Sequence, residues 1–328
     1  MLLIIARGFV FGGIDQGQLQ LYTGVITSTG GHRPRKLCSM KNIAISCDSV
    51  CVLPEKAAEY GLVLAPFSIV LNDKQYQGDS MDINRLYAAL EDGDNLPTTS
   101  MPNAVEFEHI FTSLADKADS ILHVCITSVF SKSYENALRA KEIVEKKSPG
   151  FRIEVIDSRT TGMGVCLVAR EALRLSNMGH SIDEVLQHTN AIISQVRDFS
   201  ARDTLFYLDK GGRIFEAKSW SKAEMKASFR SIVEIDAATG GTVKPIARVK
   251  SETDIIRRLA ELTKQNLGDT KTLRGDIGYS RGALERAERL KQELAKEFSF
   301  ERLDVAEVAA VVAVHNGRGF LDYAFMAD

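Results

Sequence analysis

The chain has 328 residues, a formal net charge of -2, 45% hydrophobic and 26% charged residues. That is an ordinary globular composition with length for roughly two domains. The near-neutral balance gives no sign of nucleic-acid or anionic-membrane binding, and no apolar run approaches the ~20 residues that span a bilayer. Cys38, Cys47, Cys51, Cys125 and Cys166 include no CxxC pair. They read as buried or incidental thiols of a protein in a reducing cytoplasm, and no His or Cys pair has structural-zinc spacing.

Residues 1–39 differ from the rest. Met1–Ile5 is apolar but Arg7 interrupts it, and Thr23–Lys36 has neither helical nor strand period. A secretory signal fits poorly. The expectation is a disordered or non-native extension, dispensable for stability, with folding from Met40. An N-terminal α/β domain is then expected over residues 40–165 and a C-terminal one over 166–328.

Lys41–Ser46 predicts a strand ending in the polar group Cys47-Asp48-Ser49, where ligands gather in open α/β sheets. Pro54–Tyr60 predicts a short helix with Pro at its start and Gly61 after it. Leu62–Leu71 predicts one strand, Asn72-Asp73-Lys74 a turn, and Gln75–Gly78 a short hairpin arm. Met81–Leu90 suits a helix.

In Asn95–Phe111, Asn103 and Glu106 form a capping-box pattern, and Phe107, Ile110, Phe111 and Leu114 give a buried helix face. Because Asn103 caps, Thr98, Thr99 and Ser100 have no evident structural task; a plain polar loop and a set of ligand donors both remain open. Ser120–Ile126 is an apolar run of the length of a strand buried on both faces. The hydroxyl-rich loop Thr127–Ser133 follows, then a helix through Tyr134, Ala137, Ala140 and Val144. Such a helix start favours anions; equally, one serine simply caps it. The loop has no glycine-rich Lys-Ser/Thr phosphate motif.

Arg152–Ile156 predicts a strand ending in Asp157-Ser158. Gly162 and Gly164 then open a helix, a weak hint of a dinucleotide turn in which Leu167 occupies the place of the third small residue. Ser181 with Glu184 caps a helix running through Val196. Alternation of strand and helix predicts a parallel sheet.

The second half predicts a strand over Thr204–Leu208 and a basic turn, Lys210-Gly211-Gly212-Arg213, whose glycines allow close backbone approach. Phe229–Ile235 and Thr242–Val249 predict a hairpin. Ser251 caps a helix, Lys271–Tyr279 is a strand, Gly282–Lys296 a helix, and Phe298–Asp304 and Val308–Val314 are strands. The last ends at His315-Asn316-Gly317-Arg318-Gly319, where the histidine either reaches a ligand or packs as a turn residue.

From Met40 almost to the end, these segments together resemble the DegV family, which includes the fatty-acid-binding subunits of bacterial fatty acid kinases. The residues carrying the resemblance are Asp48-Ser49, Thr98-Thr99-Ser100 with Pro102, Ser131 with Ser133 and Ala137, and Asp157-Ser158-Arg159. Lys210-Gly211-Gly212-Arg213-Ile214 and His315 with Gly317 and Gly319 complete it. Departures are Lys132 for a glycine, Cys47 for a threonine, Met101 for a glutamine, Arg318 for a proline, and Phe229-Arg230-Ser231 near a usual Lys-Pro pair. They leave two explanations open, another acyl ligand or a divergent paralogue.

The resemblance implies a two-domain α/β fold, a parallel-sheet domain followed by a mixed-sheet α+β domain, with the ligand between them. It implies a substrate carrier rather than an enzyme: a long-chain fatty acid lies in an apolar tunnel with its carboxylate on Thr99, Ser100, Ser131 and His315. A separate kinase subunit, holding ATP and magnesium, would phosphorylate that carboxylate to an acyl phosphate for phospholipid synthesis, with Arg213 meeting the partner or the phosphate. No cofactor, metal or nucleic acid is expected on this chain, and at most transient membrane contact. The alternatives are an independent small-molecule or nucleotide-using α/β enzyme and a regulatory protein that lost its ligand.

Overall fold

A computed structural model describes residues 42–78, 80–93, 95–224, 226–267 and 272–327. The expectation for residues 1–39 lies outside them. The chain begins with β1 (Ile43–Asp48), α1 (Pro54–Tyr60) and β2 (Val63–Ala65), followed by β3 (Ser68–Leu71), β4 (Lys74–Gln77) and α2 (Ile83–Asp92). Next come β5 (Thr98–Ser100), α3 (Ala104–Ala115), β6 (Ser120–Cys125), α4 (Ser133–Lys147) and β7 (Arg152–Asp157). Then follow α5 (Gly162–Asn177), α6 (Ile182–Ile193), β8 (Arg197–Arg202), α7 (Phe206–Lys210), α8 (Lys218–Glu224), β9 (Arg230–Glu234) and β10 (Lys244–Val249). The chain closes with α9 (Glu252–Asn266), β11 (Thr272–Tyr279), α10 (Leu284–Glu297), β12 (Ser299–Glu307), α11 (Ala310–Asn316) and β13 (Leu321–Ala327).

The first sheet is parallel, in the order β2-β1-β6-β7. Every residue of β6 is buried, the polar Ser120 and His123 included, as suits a strand covered on both faces. The second sheet is mixed, in the order β10-β9-β8-β13-β11-β12, with β11 and β12 its parallel pair. A small antiparallel sheet, β4-β3-β5, completes the set.

Helix α5 packs against β1 and β6 of the parallel sheet and against β11 and β13 of the mixed sheet. Its first two turns are buried all round, from Gly162 to Ala169, as a helix covered on opposite faces must be. Accordingly the largest core runs from β1 through α5 to α11 and β13. Among the described residues no helix is long and apolar enough to cross a membrane.

Four expectations are corrected. Leu62–Leu71 is two strands in different sheets, because the break falls at Pro66, which cannot donate to a ladder. Thr98–Ser100 is a strand rather than a loop, paired with β3. The strand placed at Thr204–Leu208 lies earlier, at Arg197–Arg202, and helix α7 takes its place. The apolar run expected as a last strand before His315 is helix α11. A short, wholly buried apolar run does not reveal its period, and Ala309, Ala310 and Ala313 tip it to a helix.

Candidate functional site

The loop after β6 is held from beneath by Asp48. Its Oδ2 accepts from the Ile126 N–H at 2.9 Å, and its Oδ1 accepts from the Ser133 hydroxyl at 2.8 Å. His123 donates from Nε2 to Oδ1 at 3.3 Å, which leaves Nδ1 to accept from Ser46 Oγ at 2.9 Å. Phe107 and Phe111 pack edge-on against the imidazole, with centroids 5.1 and 5.6 Å away. Ser46, His123 and Asp48 have the order of a hydrolase triad, but all three are buried. Cys125 joins Asp48 and His123 within 4.8 Å; donors already fill both Asp48 oxygens, so the group reads as a brace for the loop rather than a metal centre. Asp48 and Ser133 thus serve the site indirectly.

That loop presents Ser131, whose Oγ accepts from the Ser133 N–H at 3.1 Å. Lys132 is the residue before α4, is exposed and makes no side-chain cap. Its φ of -83° needs no glycine. The glycine-to-lysine departure is therefore accommodated outward.

Antiparallel pairing of β5 with β3 sets Thr99 opposite Ile69 and Ser100 opposite Ser68. Alternation then sends Thr99 and Ser100 to opposite faces. Thr99 faces α11, where its Oγ1 lies 2.8 Å from His315 Nε2. Burial, and then the Arg213 guanidinium, hold the His315 imidazole down to about 4, so the ring is neutral at neutral pH. Its other edge lies against the backbone of Gly211, where a Cβ would come within 2.6 Å of Nδ1. Arg213 folds back on the same turn, donating from Nη1 to the Gly211 carbonyl and from Nε to the Phe130 carbonyl at 3.4 Å. The basic turn therefore clamps the histidine that lies a hundred residues further on.

These groups share one narrow cavity of about 80 Å³. Its walls are chiefly apolar, with Val50, Phe67, Ile126, Leu208, Val312 and Phe320 among them. Phe130, stacked on Phe215 at 5.5 Å, closes one side. Thr99, Ser131, Arg213 and His315 line it, Ser100 does not, and among the described residues no carboxylate does. The cavity thus offers hydroxyls, a neutral imidazole and a cation to a ligand, inside hydrocarbon walls.

Sequence reading missed Arg202, Asn316 and Thr161 in the lining. A signal existed for the first: Asp198, Ser200 and Arg202 alternate with Phe199 and Ala201, which is the period of a strand with one polar face. Gly162, also in the lining, has a φ of +45°, and an added Cβ would meet Asp322 Oδ2 at 2.0 Å. Asp322 itself accepts from the Met163 N–H at 2.8 Å. A carboxylate from β13 therefore occupies the start of α5, where a dinucleotide would need to place its phosphates, and the nucleotide-using alternative loses its main support.

A family model described as uncharacterised protein of the DegV family matches residues 42–328. A DegV domain-containing protein of Caldanaerobacter subterraneus subsp. tengcongensis is 31% identical over 228 residues, covering 69% of this chain and 78% of the relative. One from Clostridium perfringens is 27% identical over 276 residues, covering 84% and 95%. Among solved structures, a fatty-acid-binding DegV family protein from Thermus thermophilus superposes with a TM-score of 0.78 at 22% identity, covering 88% of this chain and all (100%) of that one. A DegV family protein from Eubacterium eligens loaded with heptadecanoic acid gives 0.78 at 19% identity, covering 87% and 100%. The fatty acid binding protein DegV of Bacillus subtilis gives 0.72 at 21%, covering 88% and 100%.

Proposed function

On the premise that this chain belongs to the DegV family, we propose that it binds a fatty acid in the cavity below β5 and α11 and presents the carboxylate to a separate kinase subunit. The observation that carries the reading is the composition of the cavity: apolar walls, and the hydrogen-bonding group Thr99–His315 with Ser131 and no competing carboxylate among the described residues. Burial stabilises an acyl chain by about 0.8 kcal/mol per methylene. A buried carboxylate must be hydrogen-bonded, and the reading assigns that to Thr99, Ser131 and His315, which line the cavity together. The solved relatives that bind fatty acids share this fold.

The partner step is part of the same proposal and rests on carboxylate chemistry. A carboxylate held by neutral donors keeps its nucleophilicity, whereas a tight cationic clamp would blunt it. Phosphorylation to an acyl phosphate then needs ATP and magnesium, which the reading assigns to the partner. Arg213, half-buried and without an ion pair among the described residues, suits the transferred phosphate, because a guanidinium pairs with two oxygens at once.

The test is Ser131→Ala and His315→Ala, each measured for melting temperature and fatty-acid affinity. Hydrogen bonds to a charged group are worth ~1.5–3 kcal/mol, so each variant should bind about tenfold more weakly or worse. Parent-like affinity in both variants would refute the head-group assignment whatever their stability.

A further inference from the structure

A head group and a long hydrocarbon chain do not both fit the cavity. An apolar space of ~150 Å³ admits benzene, which is roughly 25 Å³ per carbon. On that scale the cavity of about 80 Å³ takes about three carbons. Thr99, Ser131 and His315 already claim part of it for a carboxylate. A long acyl chain has to continue elsewhere.

A second space lies beside the first. It is a groove of about 390 Å³ along the edge strand β2, walled by Pro54, Leu62, Val63, Leu64, Pro66 and Ala309. Val63 is 38% exposed, a large apolar side chain left open to solvent. The polar side chain in the wall is Ser49, whose Oγ accepts from the Phe67 N–H at 2.8 Å. Among the described residues no charged side chain lines the groove. It therefore offers apolar surface to cover and little to hold a polar ligand.

One layer of protein separates the two spaces. Val311 of α11 lines both. Ser49 and Pro66 of the groove are the chain neighbours of Val50 and Phe67 of the cavity. The Ser49–Phe67 hydrogen bond ties those two segments together, so the passage is on the α11 side, at Val311. His315 and Val311, four residues apart, share a face of α11, and Ala309 precedes its first turn. At 1.5 Å per residue, the way from His315 to Ala309 is about 9 Å, well within the length of an extended long chain. On the same volume scale the two spaces together take about nineteen carbons, the size of a long-chain acid.

We propose that the groove beside β2 is the distal acyl subsite. The chain leaves the cavity past Val311, runs along α11 towards its N-terminus, and lays its last carbons against β2. The proposal rests on the fatty-acid reading and extends its site. Because the groove opens to solvent at Val63, the site favours long chains over short ones and tolerates a substituent at the chain end.

In the experiment, delipidated full-length protein takes up hexadecanoic acid carrying a photoreactive diazirine on its last carbons. After illumination, tandem mass spectrometry locates the labelled residues. Label should fall on Leu62–Pro66, Gly78 or Ala309. Val63→Asp sets a charge where the tail would cover it. It should weaken hexadecanoic acid about tenfold or more and hexanoic acid by less than about threefold. The label map of the parent alone decides the matter if the variant does not fold. Label confined to residues outside the groove, or a Val63→Asp variant that binds hexadecanoic acid like the parent or loses both acids equally, would overturn the subsite and leave the fatty-acid reading intact. If the parent binds neither acid nor the probe, that reading itself fails.

Discussion

Gly162→Ala tests the junction on which α5 and the cavity depend. The residue sits at a φ of +45°, and an alanine Cβ would come within 2.0 Å of Asp322 Oδ2. The left-handed backbone costs an alanine roughly 1–2 kcal/mol. Asp322 must also move, which breaks its bond from the Met163 N–H, worth about 1.5–3 kcal/mol for a charged acceptor. Together the loss is about 2.5–5 kcal/mol, a large share of the ~5–15 kcal/mol that holds a domain. Gly240→Ala is the control: its φ of +67° carries the same kind of backbone cost, but no heavy atom lies within 4 Å of the added Cβ. Urea unfolding of the three proteins at one pH gives the comparison. If Gly162→Ala costs no more than Gly240→Ala, Asp322 does not cap α5 as described, and the argument against a phosphate at that helix start goes with it.

The remaining predictions concern the head-group end. His315 falls from the ordinary 6.5 to about 4 in the folded, ligand-free chain. The unfolded state thus binds the extra proton first, and stability is lost as pH drops from 6.5 towards 4, by about 3 kcal/mol at most. Acid titration of the parent against His315→Gln checks this, and an identical slope in the two would contradict it. With the ring neutral and the carboxylate held by neutral donors, fatty-acid affinity should stay nearly flat between about pH 7.5 and 6; a steep rise towards pH 6 in calorimetry would mean that His315 takes up a proton on binding. Arg213→Ala should leave fatty-acid affinity nearly intact and lower acyl-phosphate formation with a cognate kinase, whereas equal loss of both would place Arg213 on the carboxylate. Lys132→Gly should change fatty-acid affinity by less than about threefold, within the ~0.5 kcal/mol scale of surface changes, because the side chain is exposed; tighter binding would show that the lysine does distort the loop.

Legibility in the sequence followed the strength of the local signal. The segment Ser120–Val144 is readable because a mostly apolar run and a helical period stand side by side. Capping boxes at Asn103, Ser181 and Ser251 placed three helix starts correctly, each with its reciprocal bond. Helix α11 was misread because burial on every side erases periodicity. The hydroxyls of Thr99 and Ser100 looked equivalent in sequence, and only the pairing of β5 with β3 separates them. Asp48 was noticed as a strand-end acid, but its role as a brace depends on His123 and Ser133, more than seventy residues away. The alternation around Arg202 is visible in the sequence, but Thr204–Leu208 competes for the strand a few residues downstream. Such long-range closures, like the contact of Gly211 with His315, have no local sequence signature.

The central claim is that this chain carries a fatty acid, and native mass spectrometry of the purified protein tests it most directly. The account predicts a species heavier by the mass of one long-chain carboxylic acid, removed by delipidation and restored by adding the free acid. A bound nucleotide, or a ligand-free protein that takes up no added acid, would contradict it.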